Sequence, residues 1–279
     1  MKPFLRQFMA HRGAVVGLVL LVIVIVVAAF ASVWFAQSPW TMVGQPLLKP
    51  FESGEFPLGT DMLGRDIGAG LAYGARVSLL IGVTSTMVAV CLGVLIGAVA
   101  GYKGGAIDDV LMRFTEFFQT IPQFAMAMVL VAIFTPSIYS IVGAITIVSW
   151  PPVARLVRSE FLSLKQREFV QAAVVIGQRP MRIVFTQILP NAMSPIIVTA
   201  SLMTATAILT ESSLSFLGLG DRNLMSWGYM IGAARTMLRQ AAWMSLMPGL
   251  AILVTVLAIN LIGEGLNDAL NPQLRKRGD

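Results

Sequence analysis

Apolar runs long enough to cross a bilayer recur along almost the whole of this 279-residue chain. A spanning helix needs about 20 mostly apolar residues to match a hydrocarbon core about 30 Å thick. Each run must satisfy its own backbone hydrogen bonds, which a helix does within one segment. The expected fold is therefore all-α, a polytopic membrane protein with about six transmembrane helices. Charge agrees, because Asp, Glu, Lys and Arg make up 12% of the chain, about half of what a soluble domain carries. Mean hydropathy is +0.79.

The first run covers residues 14–35, behind the basic residues Lys2, Arg6 and Arg12. A cleaved signal peptide is the rival reading. The run exceeds the usual apolar region of about 7–15 residues and no convincing cleavage site follows, so an uncleaved span is expected. The second run, 77–101, carries Gly93, Gly97 and Gly101 on one helix face, which permits close helix approach. The third, 114–134, contains Pro122 as an expected kink. The fourth, 136–150, is short and is expected to end at Pro151-Pro152. The fifth and sixth cover 192–217 and 241–263. The chain thus divides into segment 1–36, an outward segment 37–76, a five-helix core 77–265 containing a long loop at 151–191, and a tail 266–279.

Orientation follows from Lys and Arg. With the N-terminus inside, about 14 of these residues fall in cytoplasmic segments and about six outside, as expected for a protein of the cytoplasmic (inner) membrane. Both termini and the 151–191 loop then face the cytoplasm. The formal net charge of +6 is accounted for by these flanks. No basic stripe with interleaved aromatics suggests nucleic acid.

The loop is the polar island of the sequence. Residues 166–176 lack Gly and Pro and read as a short helix. Gly177 suits the left-handed position that closes such a helix. Pro180 suits the first turn of a second one, expected to run to about Leu189 and stop at Pro190. The result is an elbow rimmed by Arg179 and Arg182, with Ala172 and Ala173 small enough to let a partner approach.

At this point the chain resembles a family. Gln171-Ala172-Ala173, Gly177 and Leu189-Pro190 match the spacing of the cytoplasmic Glu-Ala-Ala…Gly…Leu-Pro motif of binding-protein-dependent ABC importer permeases, with Gln171 where Glu is usual. Three further segments narrow the resemblance to the dipeptide/oligopeptide/nickel branch. They run from Pro57-Leu58-Gly59-Thr60-Asp61 to Arg65-Asp66, from Leu214-Ser215-Phe216-Leu217-Gly218 to Gly220, and from Asn260-Leu261-Ile262-Gly263-Glu264-Gly265 to Pro272.

The resemblance implies that the elbow is a coupling helix seated on a separate ATPase. It also implies a second permease subunit, two ATPase subunits that hold the ATP, and an extracytoplasmic substrate-binding protein. The cargo it implies is a di- or oligopeptide, with nickel, a metal chelate or another small solute as the alternative. An ion-coupled carrier or channel is the rival of another class.

The chain itself shows no phosphate loop for ATP, no metal-ligand spacing and no catalytic constellation, so no cofactor and no catalysis are expected on it. Gly218-x-Gly220 reads as a turn. Cys91 reads as a small packing residue, and His11 as interfacial. Glu211, Thr204 and Thr206 are candidates for a polar pathway through the fifth span; helix-to-helix hydrogen bonding is the other reading. Glu264 reads as structural. Asp61, Arg65 and Asp66 either stabilise the outward segment or meet a binding protein.

Overall fold

The computed structural model describes residues 7–270. Lys2, Arg6, Arg275, Lys276, Arg277 and Pro272 lie outside the described residues. Nine helices carry the fold within them: α1 (Arg12–Trp34), α2 (Ile67–Lys103), α3 (Gly105–Gln119), α4 (Gln123–Ile133), α5 (Ile138–Lys165), α6 (Glu168–Val175), α7 (Pro180–Leu219), α8 (Trp227–Ala234) and α9 (Trp243–Leu270). Helices α1, α2, α5, α7 and α9 are long and apolar enough to cross a membrane, and the bent pair α3–α4 is so when its two helices are taken together. The fold is all-α and polytopic, as expected.

Small residues set the contacts. A Cβ on Gly93 would lie 2.5 Å from Val153 Cβ, one on Gly97 2.8 Å from Val157 Cβ, and one on Gly101 2.7 Å from Phe161 Cβ. Both partner positions rise together, so α2 and α5 run parallel along this glycine seam. Gly17 meets Ala258 and Leu261, and Gly265 meets Ala14, which lays α1 antiparallel along α9. In lipid, helices gain most from such close backbone approach, because apolar burial alone drives no association there.

Four expectations about helix ends change. Helix α2 starts at Ile67 rather than 77, because Asp66 Oδ1 accepts the Gly68 N–H at 2.8 Å and caps it. Arg76, the last residue of the expected outward segment 37–76, sits inside α2 and sends its guanidinium to Ala28 O, Ala29 O and Ser32 Oγ of α1. Helix α5 does not stop at Pro151-Pro152 but continues to Lys165. Pro151 is buried there, and tertiary packing overrides the breaker.

Pro190 does not stop its helix either. A π-helical turn at Val184–Ile188, in which Leu189 N–H bonds Val184 O, carries α7 past it; such turns absorb a proline's missing donor. Helix α9 runs seven residues beyond the expected 263, to Leu270.

The expected kink at Pro122 is a full break, bending α3 against α4 by 82°. Proline disfavours helical geometry at the residue before it, here Ile121. Helix α8 lies within the connection between the fifth and sixth expected spans, where no helix is expected from the sequence.

Candidate functional site

The elbow lies at the end of the bundle that also carries Arg12, Lys103, Lys165 and Leu270. Its geometry begins at the last turn of α5. The Gln171 side-chain amide donates from Nε2 to Lys165 O at 2.9 Å. That carbonyl is one of the orphans every helix end must satisfy. Lys165 Nζ in turn donates to Tyr102 O at 2.7 Å near the end of α2, and Arg158 grips Asp108 of α3 through two hydrogen bonds, one at 2.6 Å. Three helix ends are thus tied together beneath the elbow.

Helix α6 closes with a Schellman arrangement. Gln178 N–H bonds Ala173 O at 3.1 Å and Gly177 N–H bonds Val174 O at 3.0 Å. The pattern needs a left-handed residue at the closing position, and Gly177 supplies it with φ +76°. Nothing lies within 4 Å of an added Cβ there, so the backbone, not space, calls for glycine. Pro180 opens α7 in its first turn, as expected.

One face of the elbow is anchored and the other is bare. Val170 and Ala173 are buried with Val157 and Phe161 of α5 and Ile183, Ile188 and Ala192 of α7; Leu189 packs at the edge of the same cluster. Ala173 is therefore small for its own core rather than for a partner. Ala172 and Gln171 are exposed, as is Pro190. Beside them stand Val174, Val175, Ile176, Met181 and Phe185, with Val175 85% and Ile176 72% exposed. The sequence reading missed this apolar patch; its signal was the unbroken Val-Val-Ile run before Gly177.

The three pathway candidates do not form one surface. Glu211 is 1% exposed. Its Oε1 accepts from Ser226 Oγ at 2.7 Å and Ser215 Oγ at 2.8 Å, and Oε2 from Ser212 Oγ at 3.3 Å. Ser226 caps α8 by accepting the Tyr229 N–H. The next residue, Trp227, donates its backbone N–H to Ser78 Oγ and its indole N–H to Leu71 O of α2. Glu211 thus clamps α8 between α7 and α2. Thr204 spends its hydroxyl on Ala200 O and Thr206 on Leu202 O, both within α7.

At the opposite end the segment 35–66 folds over the helix ends. Asp61 accepts the backbone N–H groups of Leu63 and Arg65 and pairs with the Arg65 guanidinium at 2.8 Å. Burial pushes the Asp66 carboxyl up, against the amides of Gly68 and Ala69 that hold it down. These charges are spent on the local fold. His11 caps α1 through Nδ1, Glu264 is exposed, and Cys91 faces outward from α2 rather than into the packing.

Five long apolar helices, the bent pair α3–α4 and a helical elbow at one end make this a multi-pass membrane protein. Residues 93–276 match the family of binding-protein-dependent transport system inner membrane components, and residues 1–50 match the N-terminal transmembrane domain of oligopeptide transport permease C. The chain belongs to this family of inner-membrane permeases. It is 39% identical to the di/tripeptide transport system permease protein DppC of Pseudomonas aeruginosa, over 99% of this chain and 93% of the relative. It is 36% identical to the oligopeptide transport system permease protein OppC of Bacillus subtilis, over 99% of this chain and 90% of the relative. Its fold is similar to a chain of the MetNI methionine ABC transporter in an inward-facing conformation, with a TM-score of 0.61, 17% identity, and coverage of 72% of this chain and 96% of the other.

Proposed function

We propose that this chain is the permease subunit of an ATP-driven importer that moves di- or oligopeptides across the inner membrane. In this reading it pairs with a second permease and two ATPase subunits, which hold the ATP, and receives cargo from an extracytoplasmic binding protein. The elbow end and both termini face the cytoplasm, in keeping with the bias of Lys and Arg toward that side. The cargo class rests on the relatives named for di-, tri- and oligopeptide transport.

The observation that carries the coupling role is the apolar patch Val174–Ile176, Met181 and Phe185, exposed on a helix pair whose other face is locked to α5 and α7. An apolar patch rimmed by charge, here Arg179 and Arg182, marks a protein contact. A rigid lever with one greasy face can be pushed by a partner and pass the motion to α5 and α7. Gln171 and Ala172 sit on the contact face, Gly177 sets the bend, and Ala173 and Leu189 fix the elbow to its core; Pro190 lies just behind it.

The test is ATPase activity in proteoliposomes holding the full transporter with its binding protein. Val175→Asp with Ile176→Asp is expected to cut peptide-stimulated ATP hydrolysis and uptake at least about tenfold, since each charge buried at a contact costs more than one tenfold step of about 1.4 kcal/mol. Undiminished stimulation by a normally assembled double variant would remove the patch from the coupling.

A further inference from the structure

The break between α3 and α4 is an exposed piece of irregular backbone at mid-depth in the bundle. Its depth comes from the aromatic stack below it. The Phe118 ring lies 5.4 Å from the Trp150 ring and Phe114 lies 5.9 Å from it. Trp150 stands 12 residues from the start of α5 at Ile138 and 15 from its end at Lys165. At 1.5 Å per residue that is about 18 Å from one end and about 22 Å from the other.

Thr120, Ile121, Pro122, Gln123 and Phe124 are all exposed on the surface of the chain. Thr120 N–H and Oγ return to the last turn of α3, and Met126 N–H bonds Pro122 O. Among the described residues, the N–H groups of Ile121, Gln123, Phe124 and Ala125 meet no acceptor, and the carbonyls of Phe118, Gln119, Thr120 and Ile121 meet no donor. The Gln119 side-chain Nε2, enclosed under the break, is also without a partner.

Hydrocarbon cannot cover such a surface. Non-helical backbone at membrane depth survives only where protein encloses it or where it lines a water-filled cavity. The rest of this chain does not enclose it, and no side chain among the described residues satisfies these eight groups, the orphan donors and acceptors of two helix ends. Phe124 also borders a groove with Leu209, Ser213 and Phe216 of α7 and Gly249 of α9, so the break continues into an open face rather than a closed seam.

We infer that residues 120–124 line a water-filled path at the middle of the membrane, on the face this chain turns toward the second permease. The inference rests on the proposed permease assembly. It gives the exposed amides and carbonyls of the break a solvent, and it assigns the pathway to α4 and the adjoining groove rather than to Glu211 and Thr204.

Cysteine accessibility in the assembled transporter tests it. Cys91 is the only cysteine, so a Cys91→Ser background carries Thr120→Cys, Gln123→Cys or Phe124→Cys singly. Leu95→Cys, an exposed position on the unbroken α2, is the comparison. A charged, membrane-impermeant methanethiosulfonate is expected to modify Thr120→Cys and Gln123→Cys at least tenfold faster than Leu95→Cys, and modification is expected to abolish peptide uptake. Phe124→Cys serves if either of the others fails to assemble.

Uptake-competent variants that react no faster than Leu95→Cys would overturn the inference while leaving the permease reading intact. Uptake by the chain without its ATPase partners would instead overturn that reading.

Discussion

Gln171 shows how a single side chain settles a local question. Its Nε2 donates to the Lys165 carbonyl at 2.9 Å, a bond a carboxylate cannot make because it has no proton to give. The Gln at this position, where the resembling family usually has Glu, therefore joins α5 to α6 inside the chain. Gln171→Glu is expected to lose that bond and cost about 0.5–1.5 kcal/mol, read as a lower melting temperature of the purified complex in detergent. An unchanged midpoint would show the bond to be dispensable. Gly177 is held by its φ of +76°. Gly177→Ala should cost about 1–2 kcal/mol with little loss of uptake, whereas Gly177→Pro should abolish uptake and leave membrane insertion intact; full ATPase stimulation in the proline variant would contradict the elbow's role.

Glu211 is the other residue whose role the surroundings decide. Three serine hydroxyls converge on its side chain; Glu211→Ala leaves Ser212 its bond to Ile208 O but strands the Ser215 and Ser226 hydroxyls in a buried site. Leaving a buried polar group unsatisfied costs about 1–3 kcal/mol. Glu211→Ala is therefore expected to lower thermal stability sharply and to loosen α8, seen as faster hydrogen exchange at Tyr229 and Met230. A stable variant with a selective loss of uptake would return Glu211 to the pathway.

At the scale of elements, the length of the apolar runs located the spans but not their ends. The apolar runs at 77–101 and 192–217 fall inside observed helices, 14–35 ends one residue past α1, and the Gly93/Gly97/Gly101 face packs closely on a neighbour, α5, as its spacing permits. Proline was the source of the misreadings in α5, in α7 and between α3 and α4. Pro151, Pro152 and Pro190 read as stops, yet each lies within a continuing helix, because burial at Pro151 and the π turn before Pro190 offset the lost donor. Pro122, read as a kink, breaks its span outright. Local chemistry is the same in all four places; what differs is the neighbour each proline meets, which one sequence does not reveal. Gly97→Leu is a clean test of the seam, since its side chain would collide with Ala154 and Val157. It is expected to prevent assembly of α2 with α5, measured as loss of disulfide trapping between cysteines placed on the two helices, and trapping at the normal rate would contradict the packing described.

For the whole molecule, the elbow motif and its Gly177 were legible because turn chemistry is local. The apolar patch on its outer face and the clamp around Glu211 were not, because both depend on which face tertiary packing leaves bare. The picture that results is a bundle tied at one end by Gln171, Lys165 and Arg158, capped at the other by the segment 35–66 and α8, and broken in the middle at Pro122. The proposed function makes this body the lever and leaves the ATP to its partner subunits. The most direct measurement is peptide uptake into liposomes holding the chain alone, set beside liposomes holding it with the second permease, both ATPases and the binding protein. ATP-dependent uptake only in the complete assembly is the expected result; uptake by the chain alone, driven by an ion gradient, would contradict it.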